Sequence, residues 1–161
     1  MTDAGFTHLD SSGAARMVDV TAKEISVRTA TATGRVLVSG EVVGLLRGAG
    51  VPKGDAIAVA RIAGIQAAKR TPDLVPLCHP IAIHGVTVDL EVRDDHVAIE
   101  AVVRTADRTG VEMEALTCVA VAGLALIDMV KAVDPGATIT DVRVEEKTGG
   151  KTGLWRRDGV T

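Results

Sequence analysis

Apolar and polar residues alternate along several stretches of this chain and fall into helical spacing along others. Residues 24–38 are β-branched and alternating, which predicts a strand, and residues 17–20 have the same character. Ser39 is placed to cap a helix over residues 40–47, closed by Gly48 and Gly50. A second helix is expected over residues 53–70, with Asp55 in its first turn and Lys69-Arg70 in its last, as the helix dipole favours. Thr71-Pro72 should break it, because the residue before a proline resists helical backbone. From 83 to 93, Val86, Val88, Leu90 and Val92 share one face while Thr87, Asp89 and Glu91 share the other. After the Asp94-Asp95 turn, Val97, Ile99, Ala101 and Val103 supply a partner strand. A long helix over 111–133 ends near Asp134-Pro135-Gly136, and 138–146 gives the last strand. The order is β-α-β-β-α-β, the ferredoxin-like α+β plan: an antiparallel sheet with helices on one face, here with an N-terminal strand/helix extension.

Composition alters this picture in one respect. Hydrophobic residues make up 47% of the 161 positions, yet Phe6 and Trp155 are the only Phe, Trp or Tyr, and both lie near the ends. The core must be built from Ala, Val, Leu and Ile with glycine, side chains that each bury little area. Residues 115–127 are apolar or small nearly all round, whereas a helix covering one sheet needs only one apolar stripe. A second subunit on the other face is therefore expected. That run is too short for a membrane span. The first ten residues have neither the basic start nor the apolar stretch of a secretory signal. Two cysteines, Cys78 and Cys118, suit a reducing cytoplasm better than a disulfide framework. One domain over 1–161 is expected, with flexible ends at about 1–14 and 148–161. Net charge is −3 and no basic stripe or aromatic platform is present, which argues against nucleic acid. Cations concentrated between Lys53 and Arg70 and between Arg143 and Arg157 suit a small anionic ligand better.

Several segments carry candidate chemistry. Lys53 stands at a helix start, where the dipole opposes a cation unless an anion joins it; a solvated lysine in a glycine-rich turn is the alternative. In Pro76-Leu77-Cys78-His79-Pro80, two prolines stiffen a loop presenting a thiol and an imidazole. A packed cysteine beside a surface histidine would look the same. A zinc site using His84 or His96 lacks the usual ligand spacing. A Cys-His dyad fails because neighbours in an extended segment point apart. Glu112-Met113-Glu114 opens the long helix, and its carboxylates either complement the dipole or accept from a guanine-like edge. Asp128 and Lys131, three apart, form either a structural salt bridge or a functional pair. Glu114 and Asp128 are 14 residues apart on one helix, about 21 Å at 1.5 Å per residue, so they cannot grip one small group from a single chain. Residues 147–153 (KTGGKTG) fail the phosphate-loop template, since Glu145 stands where the first glycine belongs, but such a run could close over an anion as a flap.

Taken together, these segments resemble cyclic pyranopterin monophosphate synthases. The resemblance rests on residues 15–20 (ARMVDV), 53–55 (KGD), 60–71 (ARIAGIQAAKRT), 76–80 (PLCHP), 109–117 (TGVEMEALT), 128–133 (DMVKAV) and the 147–153 run. It spans about residues 7–153. It implies a ferredoxin-like lyase that rearranges 3′,8-cyclo-7,8-dihydroguanosine 5′-triphosphate and releases pyrophosphate in molybdenum cofactor synthesis. It also implies a homohexamer, a trimer of dimers with sites between subunits. Carried residue by residue, it marks Lys53, Asp128 and Lys131 as catalytic and Leu77, Cys78, His79, Met113 and Glu114 as substrate contacts. Arg28, Glu112 and Lys147 match other polar positions of the pocket. No organic cofactor or resident metal is implied; Mg2+ can accompany the triphosphate. Ile127, Val130 and Pro72 depart from the family's usual Tyr, Cys and Trp, all at positions read as apolar packing. The expected mechanism makes Asp128 and Lys131 an acid/base pair. Lys53 joins them as a second proton carrier, its pKa lowered by partial desolvation. A noncatalytic nucleotide-binding module and a zinc hydrolase are the rival readings.

Overall fold

The computed structural model describes residues 8–48 and 50–159. Strand β1, Ser26–Leu37, is followed by helices α1, Gly40–Arg47, and α2, Ala56–Ala68, and by the single turn α3, Thr71–Leu74. The hairpin β2, Gly85–Val92, and β3, His96–Asp107, comes next. Helix α4, Glu112–Val130, strand β4, Thr138–Thr148, and the short β5, Trp155–Arg156, complete the chain. The sheet order is β2-β3-β1-β4-β5 with every pair antiparallel, so the first four strands take the ferredoxin-like arrangement.

Period-two alternation sets which face each strand buries. On β1, Ala30, Ala32, Gly34 and Val36 face inward, and on β3 Val97, Ile99, Ala101, Val103 and Thr105 do the same. α4 crosses this face, burying Ala115, Cys118, Val119, Ala122, Gly123 and Leu126. Gly34 marks the crossing: a Cβ there would stand 2.6 Å from Val119 Cγ1. Small residues also let α2 approach α4, since a Cβ on Gly64 would lie 3.0 Å from the Cys118 carbonyl oxygen and 3.1 Å from Ala122 Cβ. The aromatic-poor core thus works through close backbone approach rather than large side chains.

Two expectations are corrected. Residues 17–20 join no sheet; the described part of the N-terminal extension consists of turns with one isolated bridge, Leu9 to Ala15. Helix α2 starts later than expected, because Asp55 is its N-cap and accepts from Ala58 N at 2.9 Å, leaving Lys53 outside the helix. α2 ends at Ala68, ahead of Thr71-Pro72 as expected, and because proline is tolerated in a first turn the separate single turn α3 begins there. β5 folds back on β4, pairing Trp155 with Lys147 and Arg156 with Glu146. Ser39 caps α1 as expected, and Gly48 and Gly50 close it, Gly50 N donating to the Leu45 carbonyl at 2.8 Å; residues 1–7 of the expected flexible N-terminal end lie outside the described residues. The departures are packing positions: Val130 is fully buried, and Ile127 and Pro72 are partly so.

α4 has 19 residues and a mean hydropathy of 1.9, enough by length and composition to cross a membrane. Its packing against β1, β3 and β4 identifies it as a core helix. Its outer face is not covered by the described residues. Leu124 is 60% exposed, and Val59 and Ile62 continue the apolar surface onto α2.

Candidate active site at the two ends of helix α4

The candidate residues form two groups. At the C-terminal end of α4, Asp128 lies between two ammonium groups. Lys53 Nζ donates to the Asp128 carbonyl oxygen at 2.7 Å and to Oδ2 at 3.1 Å, while Lys131 Nζ stands 2.7 Å from Oδ1. Lys131 reaches Asp128 from the next turn of the same helix. Lys53 arrives from the loop whose Val51 and Gly54 form a bridge just before the α2 cap. The hydrogen bonds from Lys131 and Lys53 hold the Asp128 carboxyl below the usual carboxylate range. All three side chains are exposed in the single chain, so the desolvation expected around Lys53 is not supplied by this chain alone.

At the other end, Leu77, Cys78, His79, Met113 and Glu114 line one cavity of about 400 Å³ with Glu112 at its margin. His79 Nε2 donates to the Val18 carbonyl at 2.6 Å; a carbonyl only accepts, so Nε2 carries a proton and Nδ1 is the ring nitrogen left for a ligand. Burial pushes the Glu114 carboxyl up to about 7, opposed by a hydrogen bond to backbone and reinforced by the Glu112 charge. Glu114 is only 2% exposed, and so it is a carboxyl poised between protonated and ionised near neutrality. Burial and the Glu114 charge also raise the Cys78 thiol, which makes it a packing or contact group rather than a nucleophile. Cys118 is buried in the core and pushed up to about 12.

Arg28 and Lys147 extend this second group along the sheet. They lie on the adjacent strands β1 and β4, whose register pairs Ala30 with Lys147. Lys147 Nζ is 2.6 Å from Glu112 Oε1. Arg28 Nε donates to the Asp107 carbonyl at 3.0 Å, which fixes the guanidinium. The turn after β4 closes over it: Gly149 and Gly150 have φ of 93° and 71°, and a Cβ on Gly150 would stand 2.4 Å from an Arg28 terminal nitrogen. Lys23, in the irregular segment before β1, and Ser26, the first residue of β1, reach the same region with no signal in sequence spacing.

The unbroken α4 keeps the two groups apart, Glu114 and Asp128 standing about 21 Å from one another along its axis. Among the described residues no three His, Cys, Asp or Glu side chains converge as metal ligands. His84 Nδ1 instead accepts from Ala106 N at 3.3 Å, and His96 Nδ1 meets Asp95 at 2.6 Å.

Comparison with known proteins agrees with this architecture. The MoaC family model matches residues 17–150. A cyclic pyranopterin monophosphate synthase of Streptomyces avermitilis is 71% identical over 151 residues, covering 94% of this chain and 89% of that protein. One from a Nocardioides species is 70% identical over 154 residues, 94% of each chain. A third, cyclic pyranopterin monophosphate synthase 2 of Mycobacterium tuberculosis, is 58% identical over 151 residues, 94% of this chain and 90% of its own.

Proposed function

The chain belongs to the MoaC family, and from that premise we propose that it converts 3′,8-cyclo-7,8-dihydroguanosine 5′-triphosphate into cyclic pyranopterin monophosphate with release of pyrophosphate. The reaction is a lyase step of molybdenum cofactor biosynthesis, carried out in the cytoplasm. The observation that carries the mechanistic reading is the division of polar groups between the two ends of α4. One end can recognise donor groups and anions; the other holds paired proton carriers. Neither suffices for a rearrangement that must open one ring, build another and close a cyclic phosphate.

The reading assigns roles as follows. Leu77, Cys78, Met113 and Glu114 enclose the base, with Glu114 accepting from its N–H donors. Arg28 and Lys147 hold the triphosphate by charge-assisted hydrogen bonds, and His79 joins them through Nδ1 when that nitrogen also carries a proton. Glu112, paired with Lys147, sets that lysine's position until phosphate arrives. Asp128 stays ionised between its lysines, so it serves better to aim them than to take a proton at neutral pH. Lys53 and Lys131 then move the protons, once a second subunit removes water from around them. The chemistry contains no redox step and uses no organic cofactor; Mg2+ enters with the triphosphate as part of the substrate.

The apolar outer face of α2 and α4 supports a second copy as the occupant that brings the opposite helix end into reach. We assign the assembly as a homohexamer, a trimer of dimers with sites shared between chains. Co-assembly of two inactive variants tests this. Lys53→Ala and Glu114→Gln should each abolish pyrophosphate release. Mixed assemblies should regain about a quarter of the wild-type sites, because each mixed pair retains one intact composite site. No recovery in assemblies proven to be mixed would place each site within one chain.

A further inference from the structure

Three cavities run into one another around the segment that leads into β1, and Lys23 lines all of them. The first is the Cys78/His79/Glu114 cavity. The second is small, about 200 Å³, and polar, with Glu112, Lys147 and Arg28 in its wall. The third, about 640 Å³, is bounded by Lys23, Ser26, Arg28 and Lys151, with Glu24 its one carboxylate. Among the described residues Lys23 and Lys151 meet no carboxylate within ion-pair distance, whereas Lys53, Lys131 and Lys147 all do. The backbone at Lys23 is nevertheless fixed: its N–H donates to the Val20 carbonyl at 3.0 Å, and its carbonyl accepts from Arg108 Nε at 2.9 Å. Lys151 follows the Gly149-Gly150 turn that is packed on Arg28. The Ser26 hydroxyl oxygen is buried without a partner at the same wall. Three cations and an unsatisfied hydroxyl donor converge here, beyond the Lys147/Glu112 pair.

We propose that Lys23 and Lys151, with Ser26, seat the outer two phosphates of the substrate and hold them as they leave as pyrophosphate. The assignment rests on the reading of the substrate as a cyclic nucleoside triphosphate. In the closing step a substrate hydroxyl oxygen bonds to the α-phosphorus and gives its proton to a base. The bond from the α-phosphorus to the α,β-bridging oxygen breaks, and pyrophosphate departs with that electron pair. Cations fixed around the β- and γ-phosphates bind the leaving group before and after this step. Arg28 and Lys147, nearer the base cavity, are left for the phosphate that stays.

The test uses wild-type enzyme, Lys23→Ala, Lys151→Ala and the double variant, with Lys69→Ala as a control. Lys69 is exposed at the end of α2, away from all three cavities. Inorganic pyrophosphate is the probe, read by calorimetric binding and by product inhibition alongside KM and kcat for the cyclic triphosphate. Each single variant should weaken pyrophosphate binding and raise KM about tenfold, with kcat changed by less than about threefold. Lys69→Ala should leave all of them unchanged. If wild type binds pyrophosphate and the Lys23 and Lys151 variants bind it equally well, the seat is misassigned. The same conclusion follows if Lys69→Ala weakens binding as much, since bulk charge would then explain the effect. If wild type releases no pyrophosphate from the cyclic triphosphate, the substrate reading itself fails, a result distinguishable from the other two.

Discussion

At its N-terminal end α4 holds a carboxyl that has lost nearly all contact with water; at its C-terminal end it holds one that faces solvent between two ammonium groups. Burial drives Glu114 up to about 7, and the lysines drive Asp128 down. The dipole of the helix would favour the reverse, stabilising an anion at the N-terminus and opposing one at the C-terminus. Direct hydrogen-bonded cations and desolvation therefore outweigh the dipole at both ends. The contrast also separates two kinds of chemistry: a carboxyl able to change protonation near neutrality belongs with recognition, and a permanently ionised one organises the lysines.

The most severe way to break this contrast is Asp128→Asn, which keeps the shape and removes the charge that gathers Lys53 and Lys131. Turnover of the cyclic triphosphate should fall about 10²- to 10⁴-fold. The melting temperature should hardly move, because an exposed ion cluster contributes little stability. Near-normal turnover would remove this end of the helix from the chemistry.

The Glu114 end is tested through pH. Its folded pKa of about 7 lies above the reference of 4.5, so the folded state binds more protons in between. Stability is therefore full below about 4.5 and lost as pH rises through about 7, by on the order of 3 kcal/mol at most. Glu114→Gln should flatten that decline in thermal or denaturant unfolding. An unchanged pH profile would mean that Glu114 ionises in the folded protein as it does in water.

A smaller effect is expected from Gly64→Val, which adds bulk where α2 meets α4. The helices must separate, at a cost of about 1–3 kcal/mol read from the denaturation midpoint. Lys53, on the loop leading into α2, should shift away from Asp128 while the Glu114 cavity is less disturbed. Loss of base recognition before loss of turnover would contradict that separation of the two ends.

Much of the framework was legible because local and global signals coincide. Alternation at Val86, Val88, Leu90 and Val92 assigned the β2 face, and Ser39 marked the α1 cap. Residues 17–20 misled because β-branched alternation describes an extended chain whether or not a neighbouring strand exists to pair with it. Asp55 misplaced the start of α2 by one role: an aspartate in a first turn and an N-capping aspartate look alike until the Ala58 N–H is located. The two ends of α4 could be separated from helical rise alone, but their burial could not. Asp128 follows the apolar pair Leu126-Ile127 and is exposed, while Glu114, in a first turn where a carboxylate needs no burial, is buried. Lys23 carries no periodic signal at all, since only tertiary folding brings the irregular segment before β1 against the turn after β4.

Strand β1 lies in the middle of the sheet, flanked by β3 on one side and β4 on the other, with Ala32 facing both Ala101 and Val144. It precedes β2, β3 and β4 in the chain, yet its second flank, β4, follows all the intervening helices and the β2-β3 hairpin. During translation its β4 edge stays unpaired until β4 has emerged, and a hydropathic α4 waits beside it for a finished sheet. Pairing across such long sequence separations slows folding and prolongs exposure of an open strand edge. This fold thus leaves its most interior strand dependent on β4, and the emergence of β4 is the event that commits the sheet.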